Sequence, residues 1–293
     1  MRAGLALGIA AYGLWGFAPL FWRQLGHVPA LELLGHRIVW GFVFFGLYAV
    51  ATRRLNEILA IVRDPQVRWR LLATALCVGL NWFVFVYAIM TDRVLDASLG
   101  YFINPLLSVA LGRFVLGERL QPLQVAAAGL ALLGVLVIAV GADGLPWISV
   151  AVATSFGLYG LLRKTTNAPA LTGSAFETLL LAVPALTGLI WLGLRGRGHL
   201  FVGEPSTDAL LICTGPVTAV PLLLFVHAAK RLPLTVVGFL QFLAPSLQFV
   251  IAVFVFHEPL QPLKLAAFGL VWLGLLLFCL AAYRGPLKKT SQA

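Results

Sequence analysis

The sequence predicts an all-α integral membrane protein with ten transmembrane helices arranged as two inverted five-helix repeats. Three observations predict this. Of its 293 residues, 60% are apolar and only 11% charged, with 20 Phe and 8 Trp, and the mean hydropathy is +0.95; soluble domains carry about a quarter charged residues. The apolar runs are continuous, not alternating as in a transmembrane β-barrel, and they approach the roughly 20 residues that a helix needs to cross about 30 Å of hydrocarbon. The third observation is a duplication. At an offset of 140, Pro105 falls on Pro245, Glu118 on Glu258, Gln121-Pro122-Leu123 on Gln261-Pro262-Leu263, Gly129 on Gly269 and Gly134 on Gly274. An odd number of crossings per copy turns the second copy upside down relative to the first.

Taken in order, the spans are expected at 4–22, 30–52, 69–90, 95–116 and 122–141 in the first repeat (1–144). The second repeat (145–283) is expected to span at 145–162, 174–194, 208–229, 233–256 and 263–283, followed by a polar tail, 284–293. The first run follows Met1 and Arg2 like a secretory signal, but Tyr12-Gly13-Leu14-Trp15-Gly16 recurs as Phe156-Gly157-Leu158-Tyr159-Gly160. No small-x-small cleavage site follows, so a retained helix is expected. The matched aromatics Trp15 and Tyr159 stand beside glycines, where a ring can face a cavity or simply pack.

The second helix carries Glu32, His36 and Arg37. A charge inside a membrane helix costs roughly 2.5–3.5 kcal/mol on insertion scales. Arg37, on the order of 10 Å deep at 1.5 Å per residue, therefore needs a partner or water. Glu32 and His36 stand at i,i+4 and can pair. The connection 53–68, with Arg53, Arg54, Glu57, Arg63, Asp64 and Arg68, reads as an interfacial helix or turn on an anionic leaflet. Asn81 in the third helix aligns with Pro221 in the eighth, and either can contact solute or serve structure.

Pro105 and Pro245 sit near the middle of the fourth and ninth helices, where each removes a donor and kinks the helix. Tyr101, Asn104 and Ser108 share one face of the fourth helix; Gln241, Pro245 and Gln248 share one face of the ninth. These faces are expected to line a solute site, with interhelical hydrogen bonding as the alternative. In the seventh helix Glu177 aligns with Arg37 at an offset of 140 or with Glu32 at 145. Because the two helices start on opposite sides, no direct salt bridge is expected, and Glu32, His36, Arg37 and Glu177 read as gating or proton-coupling groups, or else as anchors.

The net charge of +10 is a matter of topology. With the N-terminus in the cytoplasm, fourteen Lys and Arg fall inside, Arg163, Lys164 and Lys230 among them, and five outside. This positive-inside bias puts both termini in the cytoplasm and gives no nucleic-acid footprint. Cys77, Cys213 and Cys279 lie singly in apolar runs and read as core thiols without metal or disulfide spacing. His257-Glu258 begins like a zinc-protease helix, but Gln261 stands where the second histidine would be needed, and neither a phosphate-binding P-loop nor a G-x-S-x-G elbow occurs. No catalytic residue, metal or cofactor is expected, and the short connections leave no room for an extramembrane catalytic domain.

Several strings carry a resemblance: Glu32-Leu33-Leu34-Gly35-His36-Arg37, Leu80-Asn81-Trp82, the run from Ala97 to Leu106 (ASLGYFINPL), Leu116-Gly117-Glu118-Arg119 and Gly238-Phe239-Leu240-Gln241. Over nearly its whole length the chain resembles the RarD proteins of the EamA branch of the drug/metabolite transporter superfamily. The resemblance implies a ten-helix bacterial inner-membrane transporter that exports small metabolites or drugs. It implies a general cavity role for Tyr101, Asn104 and Gln241. The expectation is a secondary carrier, open to proton coupling, that moves a small organic solute by alternating access in the bilayer. The alternatives are an importer of the same fold and a non-transporting component that assists an envelope complex. Small-residue spacing such as Gly4 and Gly8 is compatible with helix contacts within the chain or between chains, the latter as in a homo-oligomer.

Overall fold

The computed structural model describes residues 2–91, 93–139, 147–202, 204–257 and 262–284. The boundary expected between the repeats at 144 and 145, Glu258, Gln261 and nearly all of the tail lie outside them. Every regular element among the described residues is helical. The order is α1 (Arg2–Trp22), a 3-10 turn (Arg23–Leu25), α2 (Ala30–Ala51), α3 (Leu55–Arg63), α4 (Pro65–Met90), α5 (Val94–Phe114) and α6 (Pro122–Ala139). It continues with α7 (Trp147–Thr165), α8 (Ala170–Leu194), α9 (Pro205–Arg231), α10 (Leu234–Gln241), α11 (Leu243–Phe254) and α12 (Pro262–Arg284).

Proline sets many of the starts. Pro65 and Pro205 open α4 and α9, and Pro29, Pro169 and Pro233 immediately precede α2, α8 and α10; the fixed φ suits a first turn, where the missing N–H has no helical partner. Asp64 caps α4 by accepting from the N–H of Gln66 at 2.9 Å and of Val67 at 3.2 Å. The interfacial helix expected after the second span is α3, with Ile61 buried and Leu55, Leu59 and Val62 exposed.

Equivalent positions of the two halves close their helices alike. The Leu116 N–H reaches the Leu111 carbonyl at 3.2 Å, and 140 residues on the Phe256 N–H reaches Ile251 at 3.0 Å. The next residue is left-handed in both, Gly117 at φ 66° and His257 at φ 54°. Glycine adopts that region freely, and histidine is among the residues that tolerate it best.

The expected ninth span is not continuous. It breaks at Phe242 into α10 and α11, because Pro245 offers no N–H to the Gln241 carbonyl and its ring crowds that oxygen. The Phe242 N–H turns instead to Phe239, at 3.3 Å. α5 runs through Pro105 as one helix.

Six described stretches are long and apolar enough to cross a membrane: Arg2–Leu25, Ala30–Ala51, Pro65–Ile89, Ala170–Leu194, Pro205–Arg231 and Leu234–Phe254. The other expected spans fall on α6 and α12, whose apolar stretches are shorter, and on the polar-laced α5 and α7. Large apolar side chains such as Leu47, Phe83, Val183, Leu194 and Phe254 are exposed on the outside of the bundle, as a hydrocarbon solvent requires. This is a multi-pass membrane protein.

Inside, α1 packs on α9 and α11, α2 on α8 and α9, α4 on α7 and α8, α5 on α7 and α10, and α6 on α12. Exchanging α1 with α7, α2 with α8, α4 with α9, α5 with α10 and α11, and α6 with α12 turns this set of pairings into itself. The crossing of α6 and α12 repeats the relation at its closest contact. A Cβ on Gly134 would stand 2.8 Å from the Ala267 carbonyl oxygen, and a Cβ on Gly274 would stand 2.8 Å from that of Ala127; each residue of the first contact is 140 positions from its counterpart in the second.

Candidate functional site: two charged clusters and a central polar belt

Three polar groupings lie in the bundle. The first is at the end where α2 starts. The Glu32 carboxylate, 2% exposed, accepts the His199 backbone N–H at 2.6 Å and lies 2.8 Å from the His199 ring Nδ1. His36 Nε2 is 3.6 Å away on the other side. The i,i+4 pair expected from sequence is therefore present, but the closer partner comes from the 195–204 connection. Beside it an open depression of about 590 Å³ is lined by His27, Arg197, Gly198, His199, Glu204 and Thr207 among others. It lies at the end of the bundle, away from the midplane residues.

The second grouping is fully enclosed. Glu177 in α8 accepts a hydrogen bond from the Thr74 hydroxyl at 2.5 Å and from the Tyr159 hydroxyl at 3.2 Å. The Arg163 Nε is 3.4 Å from its Oε1, and neither side chain has appreciable exposure. Arg163 was expected among the inner-side surface charges, but it is buried. The sequence holds a clue, for Arg163 stands four residues after Tyr159 and so shares its helix face. Gly173 makes room: a Cβ there would stand 2.3 Å from the guanidinium. Lys164 and Lys230 do not project freely from helix ends either. Lys164 donates to the carbonyls of Ala229 and Leu232 at the end of α9, and Lys230 donates to Thr166 O just past α7 at 2.7 Å. Each lysine thus satisfies carbonyls that the other helix leaves open, a favourable place for a cation.

Between these clusters runs a belt contributed by α1, α2, α5, α9 and α10. Gln241 donates to the Ser108 hydroxyl at 3.1 Å, so the two polar faces expected on the fourth and ninth helices do meet. Asn104, 3% exposed, has an Oδ1 without a partner, as has the Tyr12 hydroxyl. Tyr101 stacks edge-on to Phe85, ring centres 5.7 Å apart. Arg37 donates through Nε to Thr218 at 3.2 Å and lies over two indoles, 4.8 Å from the Trp22 ring and 5.4 Å from Trp82. Contacts of this type contribute about 0.5–2 kcal/mol each, enough together to offset much of the insertion cost of one arginine. Arg37 and Glu177 thus have separate partners, Thr218 for the first and Thr74, Tyr159 and Arg163 for the second.

Four sequence candidates serve helix contacts. Asn81 donates to Val152 O at 2.9 Å and to Ser155 at 3.2 Å, tying α4 to α7. Gln248 donates to Trp15 O at 3.1 Å, tying α11 to α1. Trp15 packs in a ring cluster with Tyr12, Phe156 and Phe225, and Tyr159, with no exposure, joins it by stacking on Phe225. Sequence reasoning did not single out His199, Thr74, Thr218 or Trp22 as site residues; none carries a local signal, since each matters through a helix distant in the chain. Among the described residues no group of three or more His, Cys, Asp or Glu is placed to hold a metal ion.

A model of the EamA-like transporter family matches residues 2–140. An uncharacterized transporter of Vibrio cholerae is 44% identical, over 94% of this chain and 92% of its own length. Protein RarD of Streptomyces exfoliatus is 42% identical over 97% of this chain and 90% of its own. Protein RarD of Escherichia coli K12 is 38% identical over 96% and 95%. A solved crystal structure at 21% identity superimposes with a TM-score of 0.75 over 97% of this chain and 99% of its own, a likeness of fold alone. With such identities sustained over nearly the full length of both partners, the chain belongs to the EamA-like transporter family, alongside the RarD proteins.

Proposed function

We propose that this membrane transporter is a secondary carrier that exports small organic solutes across the bacterial inner membrane. It works by alternating access between two inverted five-helix repeats, residues 1–144 and 145–283, with both termini cytoplasmic. The observation that carries this reading is the exchange relation among the helix pairings, repeated at Gly134–Ala267 and Gly274–Ala127. Two halves related in this way can swap conformations, which moves the opening of a central site from one face to the other. Glu32 with His36 and His199 closes one end, and Glu177 with Arg163 and Thr74 closes the other. Each end holds a carboxylate able to carry a proton, which supports proton exchange as the drive. The solute lies against Tyr101, Asn104, Gln241 and Arg37.

The test compares small molecules in spent medium and cell extract from cells making the normal protein, an Asn104→Ala/Gln241→Ala double variant, or neither. A solute that leaves the cell only with the normal protein supports export. Export that the double variant leaves unchanged removes these two residues from the site, and equal distributions in all three turn the reading toward import or an assembly role.

A further inference from the structure

Arg37 is a cation in the spanning region whose charge the described residues do not answer. Glu32, five residues earlier on the same helix, is held by His199 and His36. Glu177 is held by Arg163, Thr74 and Tyr159. Of the five N–H donors that a guanidinium carries, one is used, on Thr218. Among the described residues the other four meet no acceptor. Arg37 is only partly exposed, with Trp22 of α1, Trp82 of α4, Thr218 of α9 and the Tyr101 phenol of α5 around it. Four buried polar atoms stand on the same elements without partners: the Tyr12 hydroxyl on α1, His36 Nδ1 and the Trp40 indole N–H on α2, and the Asn104 Oδ1 on α5; of these, Trp40 follows Arg37 by three residues and Asn104 follows Tyr101 by three.

We propose that Arg37 is the anion-recognition point of the transport site, and that the solute is a small amphipathic carboxylic acid. The guanidinium fork matches both oxygens of a carboxylate, which a point charge does not. The Trp22 and Trp82 rings that flank it suit the apolar or aromatic body behind such a headgroup, and the free Trp40 N–H and Asn104 oxygen are polar contacts left over for further groups on it. A site built around an acceptor rejects the analogue that lacks one, because a buried donor is then left unpaired. This inference rests on the transporter reading and narrows it to a substrate class.

The experiment uses the full chain in phosphatidylcholine nanodiscs, mixed with a pool of small aliphatic and aromatic carboxylic acids, each with its primary amide. Bound members are quantified by mass spectrometry. At least one acid should be retained about tenfold or more over its amide, the scale on which a hydrogen-bonding site discriminates. Arg37→Gln should bring that acid down to the level of the amide, and Arg37→Lys should keep the preference with severalfold weaker retention. The acid-over-amide comparison needs no variant, and its absence overturns the proposal; so does a preference that both variants leave at full strength. Flux distinguishes the two readings. Arg37-dependent acid binding without movement of that acid in proteoliposomes sinks the carrier reading and leaves the anion site standing. Movement of a neutral solute, untouched by Arg37→Gln, does the reverse.

Discussion

Glu177 is tolerated at full burial because three groups converge on it: two hydroxyls at 2.5 and 3.2 Å and one guanidinium at 3.4 Å. Removing one member of such a pair strands the other, at a cost of roughly 3–5 kcal/mol, whereas removing both charges together is far milder. Glu177→Gln should therefore lower the denaturation midpoint in detergent markedly, and Glu177→Gln with Arg163→Met should recover most of the loss. A single variant as stable as the normal protein would mean that the pair carries no net charge interaction. At this scale the sequence was half legible. Glu177 and Tyr159 stood out as a charge and an aromatic in apolar helices, while Arg163 looked like an ordinary inner-side cation because it sits in the last turns of its helix. Only the short connection from α7 into the first turn of α8, which sets Gly173 and the Ala170 carbonyl against the guanidinium, encloses it.

Among elements, the α6–α12 crossing is constrained in the same way from both sides. Backbones approach so closely at Gly134 and Gly274 that any Cβ would stand 2.8 Å from a carbonyl oxygen of the partner. Neither oxygen belongs to a flexible side chain that could give way. Gly134→Ala and Gly274→Ala should each push the helices apart and cost about 1–3 kcal/mol, the range for overpacking, and by about the same amount. Thermal unfolding of the two variants checks this, and a large loss in one with none in the other would break the equivalence of the two sites. The matched glycines were visible in the sequence, but their mutual contact was not, since an offset states that two positions are alike and says nothing of what touches them. The break at Phe242 was likewise only partly legible. Proline marked both helices, yet the chain separates into two helices at Pro245 and continues through Pro105. At the start of α10, Glu118 accepts the N–H groups of Leu234 and Thr235 at 2.6 and 2.9 Å, a cap supplied from a distant connection that no local pattern announces.

For the whole molecule, hydropathy and the duplication were enough to predict a helical, multi-pass protein, because lipid leaves the backbone few alternatives. The architecture also explains why the polar residues lie where they do. Charged clusters occupy two ends, aromatic rings from α1, α7 and α9 fill the space near one of them, and the Ser108–Gln241 contact holds α5 to α10 between. What the sequence left open was which polar groups serve packing: Asn81 and Gln248 spend their donors on backbone carbonyls of neighbouring helices, whereas Asn104 and Arg37 keep unspent capacity. The central claim is that one site between the repeats opens in turn to each face. It is tested most directly by placing a thiol at position 108, 1% exposed in this conformation, in a chain whose Cys77, Cys213 and Cys279 have been replaced by alanine. A membrane-impermeant thiol reagent should label Ser108→Cys in right-side-out and in inside-out vesicles alike, as each face gains access in turn. Labelling from one face alone, or from neither, in vesicles that still move solute would contradict alternating access through this site.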